Sequence, residues 1–467
     1  MINPPMLQIY GNYKSAAKRG AEVVIPPGLC YIASALEQAG HKIRLIDADA
    51  EGLSFDGIMQ IIDEDSFDVV GVTATTPVYS NAKEIIELVK RYNKDILTVI
   101  GGAHVTVLPT PVMQDCNVDI GIIGEGEETV VELLSTVERG QALKDVKGIV
   151  YRQGEEIITN ESRPMVKDLD LLPFPARHLL KGNYIWSVPG EGLIPVTTVL
   201  TQRGCPFSCV FCSAGIVSGR QVRYRSVTNV VDEIEHIITE FGIKYFFFAD
   251  DTFTLDRERT IEMCAEIKKR NLKVSWDCTT RANVISSELL SEMKSAGMKR
   301  ISFGIESGDQ SILDAIRKGT TLEELERAYR WCHELGLETR GSVMIGNPFE
   351  TRETIKQTSG FIRSLKCYQV YINIAMPYPG SELYEMAKDG VGGLELLTDN
   401  WKEYQRYGNS VMKVNGLSVE DLISAQRKMY LQFYMRPGII FYNLRRAGFK
   451  AAVINSWAFF RSVLLAN

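Results

Sequence analysis

Short apolar runs alternate with helical patterns over residues 23–138. The runs are continuous rather than alternating, which is typical of parallel strands that are covered by helices on both faces. The predicted strands are 41–47, 68–74, 96–100 and 118–123, and the predicted helices are 29–38, 82–91 and 128–137. This order predicts an open, doubly wound α/β sheet of the Rossmann-like kind over residues 1–145, with ligands beyond the carboxyl ends of its strands.

The start of this sheet is unusual. Only Met1 and Ile2 precede Asn3, Pro4 and Pro5, where such a sheet normally opens with a full strand. Either the first strand is very short, or the start of the chain is placed late.

The pattern changes at residues 146–190, which predict a hairpin followed by a proline-punctuated linker. A second strand–helix alternation follows over residues 191–394. Its predicted strands are 195–200, 244–249, 273–276, 300–304, 342–345 and 369–374, and its helices are 227–241, 257–269, 287–295, 322–335 and 352–365. Six such units predict a partial (β/α)6 barrel of the TIM type with its site at the strand carboxyl ends. Residues 395–467 are predicted to be mainly helical.

Composition narrows the class of protein. The 467 residues are 45% hydrophobic and 24% charged, as in an ordinary globular chain. A net charge of −6 argues against nucleic acid as a partner. No run of 18 apolar residues occurs, and no basic start with an apolar run follows Met1, so we predict a cytoplasmic protein.

The charge is unevenly distributed. No acidic residue follows Asp421, and the last 46 residues carry +7. Residues 435–465 mix aromatic and aliphatic side chains with arginines, a pattern that suits peripheral contact with an anionic membrane surface. The alternative, and the commoner outcome, is a tail that packs on the barrel with its arginines in solvent.

The nine cysteines do not suggest a disulfide framework, because their number is odd and no export signal is present. Three of them, Cys205, Cys209 and Cys212, form a C-x3-C-x2-C motif just after the first strand of the second block. Three thiolates in such a motif can ligate three irons of a [4Fe–4S] cube and leave the fourth iron open. A structural zinc site wants four ligands, and the loop offers no fourth Cys or His. The other six cysteines are interpreted without a ligand role.

This cysteine loop, with Phe211 before the last cysteine, resembles that of the radical S-adenosylmethionine (SAM) enzymes. In that family the open iron chelates SAM, and one electron cleaves SAM to a 5′-deoxyadenosyl radical. The resemblance implies SAM contacts at the strand ends: Phe211, Asp250, Asp251, Arg281, Gly304, Glu306, Ser307 and Gly346. A carboxylate suits the SAM ammonium and an arginine suits its carboxylate, whereas solvated acids and a surface arginine are the alternative.

The glycine-rich loops upstream resemble the cobalamin-binding domain that is fused to some radical SAM barrels. The residues implied by this resemblance are Gly28, Thr73, Gly102, His104, Gly124, Glu125 and Gly126. The Asp-x-His-x-x-Gly string of many cobalamin domains is absent, so the lower axial ligand of cobalt is unassigned. His104 is a candidate at a strand end, although a packed structural role is the favoured interpretation of this histidine.

The fusion resembles the class B radical SAM methyltransferases. By resemblance, cobalt(I) takes a methyl group from one SAM, a second SAM yields the radical, and an unactivated carbon of a small-molecule or lipid substrate is methylated. The implied cofactors are a [4Fe–4S] cluster, SAM and cobalamin, with flavodoxin or ferredoxin as reductant. No catalytic residue is assigned beyond the cluster, because the protein mainly binds and orients.

Three alternatives remain open. The chain is also similar to the anaerobic Mg-protoporphyrin IX monomethyl ester cyclase, a radical cyclase and oxygenase. A methylthiotransferase is disfavoured, because Cys30 and Cys116 are too few for a second N-terminal cluster. A non-catalytic cobalamin-binding sensor is disfavoured by the intact cysteine loop.

Overall fold

The computed structural model describes residues 1–6, 23–188, 191–405, 409–442 and 444. Its N-terminal sheet has seven strands in the order β2-β1-β3-β4-β5-β6-β7. The strands are β1 (Ile2–Asn3), β2 (Ile46–Asp47), β3 (Val69–Thr73), β4 (Leu97–Gly101), β5 (Ile120–Ile122), β6 (Ile149–Gln153) and β7 (Glu156–Thr159). The helices are α1 (Pro27–Gln38), α2 (Phe55–Asp65), α3 (Tyr79–Tyr92), α4 (Ala103–Val107), α5 (Pro109–Asp115) and α6 (Glu127–Glu138).

Strand β1 is only two residues long, yet it lies between β2 and β3 and pairs with both in parallel. Ile2 is 2% exposed, so the short strand belongs to the core. The predicted strand 41–47 is therefore too long. Only Ile46 and Asp47 pair, because β1 offers them just two partners.

The predicted hairpin of residues 146–159 does not stand apart from the sheet. Strands β6 and β7 add to β5 as two antiparallel strands. The parallel strands β3 and β4 keep their predicted places, with Val70, Val72 and Ile100 at 3% exposure or less. In β4 the consecutive residues Thr98, Val99 and Ile100 are all buried, so this apolar run marks a strand that is covered on both faces.

The second sheet also has seven strands, in the order β16-β15-β14-β13-β12-β9-β8. Its strands are β8 (Ile185–Val188), β9 (Gly192–Val199), β12 (Tyr245–Phe248), β13 (Ser275–Thr280), β14 (Met298–Glu306), β15 (Glu338–Ile345) and β16 (Gln369–Ile374), and β10 (Gln202–Arg203) and β11 (Arg223–Tyr224) form a separate hairpin. The helices are α7 (Ala214–Val217), α8 (Val227–Phe241), α9 (Arg257–Lys269), α10 (Ser287–Ser295), α11 (Gln310–Ala315), α12 (Leu322–Glu334) and α13 (Arg352–Ser364).

Six of these strands are parallel and form the predicted partial barrel. The seventh, β8, was not predicted; it pairs antiparallel with β9 and covers that edge. The helices begin where the sequence supplies caps. Ser226, Asp256 and Thr321, for example, accept the backbone N–H three residues on, which satisfies a donor that the first turn leaves free.

The C-terminal region combines helices with a small sheet: α14 (Glu382–Asp389), β17 (Leu394–Leu396), β18 (Met412–Val414) and α15 (Val419–Tyr434). Helix α15 lies along the edge strand β16. The Gln426 amide donates to Ile372 O at 2.7 Å, and the Tyr430 and Tyr434 hydroxyls accept from the backbone N–H groups of Ile372 and Val370. Side chains thus satisfy the edge on which a further strand would pair.

The structure describes only the start of the basic tail, residues 435–467. Residue 443 and residues 445–467, where most of its arginines and aromatics fall, lie outside the described residues. Within the described ranges, no helix is both long and apolar enough to cross a bilayer.

Candidate functional site

A cleft of about 330 Å³ lies where the carboxyl ends of the N-terminal strands face the first loops of the barrel. It brings together residues that the sequence assigned to two separate cofactors. From the predicted cobalamin set it is lined by Gly28, Thr73, Gly102, Gly124, Glu125 and Gly126, and from the predicted SAM set by Asp250 and Asp251. Its volume falls within the usual range for cofactor pockets.

The glycines on this rim have different reasons to be glycine. A Cβ on Gly102 would lie 2.7 Å from Ala74 O, and its φ is +100°, so the close ends of β3 and β4 require glycine there. A Cβ on Gly28 or Gly124 would meet no atom within 4 Å. The backbone of these two glycines is therefore exposed to open space. This exposure suits the close approach of a broad ligand such as a corrin.

His104 lies behind the rim rather than on it. Its side chain is 1% exposed, its Nδ1 is 3.0 Å from Thr76 Oγ1, and its ring packs against Tyr79 and Trp401 at 4.3 and 5.2 Å. Burial lowers the pKa of His104 to about 4, so the imidazole is neutral at pH 7. Trp401 belongs to the C-terminal region, so this contact supports the packed structural role of His104.

The cysteine loop is held close to the barrel by its backbone. Gly204 has φ +99°, and a Cβ there would lie 2.5 Å from Gln221 O, so glycine is needed to turn into the loop. The Cys205 N–H donates to Gly219 O at 3.0 Å, and the Val210 N–H donates to Ile316 O at 3.0 Å. These bonds tie the loop to the segment that follows α7 and to the end of α11.

The three loop thiols are partly accessible, with Cys205 and Cys209 half-buried and Cys212 exposed. Burial raises the pKa of Cys205 and of Cys212, so a bound cation is what would hold them as thiolates. In the described part of the chain, no three His, Cys, Asp or Glu side chains are gathered tightly enough for a single metal ion. A cube instead takes one thiolate on each of three corners, which the loop can supply.

The two aspartates at the end of β12 have different roles. The Asp250 carboxylate is 3% exposed and accepts from the Thr201 N–H, the Thr201 hydroxyl and the Gln202 N–H at 2.7–3.1 Å. Burial raises its pKa to about 6. Asp251 is exposed to the cleft, and desolvation raises its pKa. Asp250 thus fixes the start of the cysteine loop, and Asp251 is the carboxylate that is free to meet a ligand.

Glu306 ends β14 and Ser307 follows it, but neither residue lines the cleft. Glu306 has φ +59° and pairs with Lys318 Nζ at 2.8 Å, and that ammonium lies 5.8 Å from the centre of the Phe211 ring. A Cβ on Gly304 would lie 2.3 Å from Glu306 Oε1, so this glycine makes room for the pair. The buried Ser307 hydroxyl lies 3.1 Å from Thr358 Oγ1.

Two further predicted SAM contacts, Gly346 and Arg281, lie just after the strands β15 and β13. The Gly346 N–H donates to the buried Glu350 carboxylate, which also accepts from the Asn347 N–H at 2.9 Å. Burial raises the pKa of Glu350 to about 8. Arg281 is 5% exposed and places Nη1 3.3 Å from Cys209 Sγ, so it reaches the cysteine loop itself.

An ion-pair network that the sequence did not reveal joins the two domains at the cleft. Arg203 donates to Glu125 at 3.0 Å and to Glu127 at 2.6 Å, and Arg223 donates to Glu125 at 2.8 and 2.9 Å. Burial raises the pKa of Glu125, but the guanidiniums of Arg223 and Arg203 outweigh it, so the pKa lies below the ordinary value. The only signal in the sequence was that Arg203 adjoins the motif.

Comparisons with known proteins agree with this geometry. The model of the "Radical SAM superfamily" matches residues 199–362, and that of the "B12 binding domain" matches residues 16–134. An uncharacterized methyltransferase of Pyrococcus horikoshii is 36% identical, covering 91% of this chain and 92% of its own. The anaerobic magnesium-protoporphyrin IX monomethyl ester cyclase of Cereibacter sphaeroides is 30% identical, covering 95% and 72%.

Among solved structures, the radical SAM methyltransferase TsrM from Kitasatospora setae, with cobalamin and a [4Fe–4S] cluster bound, superposes with a TM-score of 0.72. It is 18% identical and covers 94% of this chain and 88% of its own, so it shows the shared fold. The two matched domains occupy the two sides of the cleft, and the similarity to the two curated relatives runs through both. The chain therefore belongs to the cobalamin-dependent radical SAM enzymes, which use a [4Fe–4S] cluster, SAM and cobalamin.

Proposed function

We propose that this enzyme transfers a methyl group from SAM to an unactivated carbon of a small-molecule or lipid substrate. The observation that carries the proposal is the shared cleft. The open glycines of the cobalamin-binding sheet face Asp251 and the start of the cysteine loop across one cavity. The 36% identical relative of nearly equal length, named a methyltransferase, supports the same reaction.

In this proposal, the bound cluster and SAM supply a hydrogen-abstracting radical, and cobalamin supplies the methyl group. The residues of the chain bind and orient these groups. Cys205, Cys209 and Cys212 hold the cluster, Asp251 meets the SAM ammonium, and Asp250 fixes the loop backbone through Thr201. No general base is required of the side chains, because the substrate hydrogen leaves as an atom.

The remaining predicted contacts are retained as proposals. Gly28, Thr73, Gly102, Gly124, Glu125 and Gly126 bound the corrin side of the cleft. Phe211, Arg281, Gly304, Glu306, Ser307 and Gly346 lie at strand ends or in the cysteine loop, where they shape the SAM side. The electron comes from flavodoxin or ferredoxin. Peripheral membrane contact through the basic tail would favour a lipid substrate, and its support is the +7 charge after Asp421.

A radical cyclase is the second candidate, and the 30% identical cyclase relative is the observation that favours it. Product analysis separates the two reactions. The reconstituted enzyme is incubated anaerobically with reductant, SAM carrying a labelled methyl group, and a metabolite and lipid extract. Methyl transfer predicts a product whose mass rises by one labelled methyl group less the hydrogen atom that it replaces. A product that loses hydrogen or gains oxygen without label would instead support the cyclase.

A further inference from the structure

Among the described residues, four hydrogen-bond donors serve the three thiols of the cysteine loop, and the donor to Cys209 is the charged one. The Cys205 sulfur accepts hydrogen bonds from the Phe207 backbone N–H and the Thr252 hydroxyl. The Cys212 sulfur accepts from the Ala214 N–H at 3.4 Å. Cys209 accepts from the Arg281 guanidinium, Nη1 to Sγ, at 3.3 Å. A charged donor makes a markedly stronger hydrogen bond than a neutral one.

The Arg281 guanidinium is held rigidly in this position. Its Cζ lies 3.7 Å from the centre of the Phe207 ring, and its Nε donates to Asn283 Oδ1 at 3.4 Å. The Asn283 amide is itself bonded to Gly319 O at 2.8 Å. Arg281 follows β13 directly, so a barrel strand fixes its backbone. Because the side chain is 5% exposed, solvent screens its charge weakly.

In the part of the chain that the structure describes, no carboxylate pairs with this buried guanidinium. Among the described residues, the hydrogen-bond contacts of Arg281 are the Cys209 thiol and the Asn283 amide, and its Nη2 is buried without a partner. Burying a guanidinium without a counter-ion is costly. A cluster held by three thiolates would supply negative charge at this place, and it would supply more of it after reduction.

We propose that Arg281 is a positioning residue that raises the reduction potential of the [4Fe–4S] cluster. One electron from a low-potential donor takes the cluster from the 2+ to the 1+ state and adds one negative charge to it. A buried cation bonded to the Cys209 sulfur stabilises the reduced state more than the oxidised state. Hydrogen bonds to the sulfurs and local charge are established means of setting such potentials.

This inference rests on the cluster and is independent of the proposed methyl transfer. It is tested on the reconstituted full-length enzyme without SAM or substrate, by redox titration followed by electron paramagnetic resonance. R281Q removes the charge and keeps a polar side chain of similar length. We expect its reduction equilibrium to shift at least tenfold toward the oxidised cluster, which is 59 mV for a one-electron couple. R281K keeps the positive charge but lacks the planar guanidinium. We expect its reduction potential to lie between those of the wild type and R281Q.

The matched control is R220Q. Arg220 also contacts the cysteine loop, donating to Phe207 O at 3.2 Å, but it is exposed and bonds no sulfur. Loss of the Arg220 guanidinium should shift the reduction equilibrium of the cluster by less than threefold from that of the wild type. Iron and sulfide analysis accompanies each titration. A fully loaded R281Q with the wild-type potential would overturn the proposal. So would failure of both R281Q and R281K to take up the cluster, since Arg281 would then hold the loop rather than tune its potential.

Discussion

Replacing Glu125 by glutamine should loosen the two domains at the cofactor cleft. The Glu125 carboxylate accepts four hydrogen bonds, from Arg203, from both terminal nitrogens of Arg223 and from the Val166 N–H, at 2.8–3.0 Å. Glutamine keeps one carbonyl oxygen and the size of the side chain, but it loses the charge. Arg203 retains Glu127 as a partner, whereas Arg223 keeps only carbonyl acceptors.

The size of the effect follows from burial. The side chains of Glu125 and Arg223 are 10% and 9% exposed, so the variant leaves a nearly buried guanidinium without a counter-charge. Breaking such a pair costs about 3–5 kcal/mol, and the surviving oxygen places E125Q near the lower end, at about 3 kcal/mol. The control is E128Q, because the Glu128 side chain is 56% exposed and its Oε2 lies 3.7 Å from Arg163 Nη1. A surface pair of this kind is worth at most about 1 kcal/mol.

The assay is urea-induced unfolding followed by circular dichroism, for the wild type, E125Q, R223Q and the double variant. The double-mutant cycle formed by these four proteins should give a coupling energy of about 1–3 kcal/mol between Glu125 and Arg223. The pKa of Glu125 is lowered from its ordinary 4.5, so its contribution is present above pH 4.5 and is lost as the pH falls through the lowered value. E125Q and E128Q with equal stabilities at pH 7, or a coupling energy near zero, would refute the reasoning.

Four further outcomes are expected. Alanine at any one of the three loop cysteines should lower the iron content and abolish SAM cleavage, whereas C264A, in a buried helical position, should keep both; equal iron in all these variants would contradict the assignment. Because the pKa of Glu350 is raised to about 8, its favourable effect on stability is complete below pH 4.5 and is lost as the pH rises through 8, by about 1.4 kcal/mol per unit between these values. Thermal unfolding against pH should show this slope in the wild type and not in E350Q. H104F should bind cobalamin within twofold of the wild type, and a tenfold loss would show that His104 contacts the corrin. Full-length chain should co-sediment with anionic liposomes more than a chain that ends at Met435, and equal binding would remove the membrane proposal.

Much of the architecture could be predicted because its signals are local. Continuous apolar runs mark the parallel strands, and the helix α8 begins and ends where the pattern placed it, at Val227 and Phe241. The C-x3-C-x2-C spacing is likewise local, so the cysteine loop was found at once. The strand at 41–47 was overestimated, because its length depends on a partner, β1, that is distant in sequence.

The direction of each side chain could not be predicted in the same way. Asp250 and Asp251 are neighbours in sequence and both line the cleft, yet the Asp250 carboxylate is 3% exposed and bonded to Thr201, whereas Asp251 is exposed. Both residues lie in the loop after β12, where no strand period sets the direction of a side chain, so a motif alone does not select between them. Arg281 and Cys209 are 72 residues apart, and the contact between them depends on how the ends of the barrel strands come together.

The central claim, that cobalamin and a radical-generating cluster act in one cleft to transfer a methyl group, is tested most directly by counting the products of SAM. The reconstituted enzyme is incubated anaerobically with reductant and SAM, in cobalamin-loaded and cobalamin-free forms, and both S-adenosylhomocysteine and 5′-deoxyadenosine are quantified. We predict both products from the loaded enzyme, with S-adenosylhomocysteine lost when cobalamin is left out. Formation of 5′-deoxyadenosine alone from the loaded enzyme would contradict methyl transfer. The absence of both products would contradict the claim that the protein is a SAM-dependent enzyme.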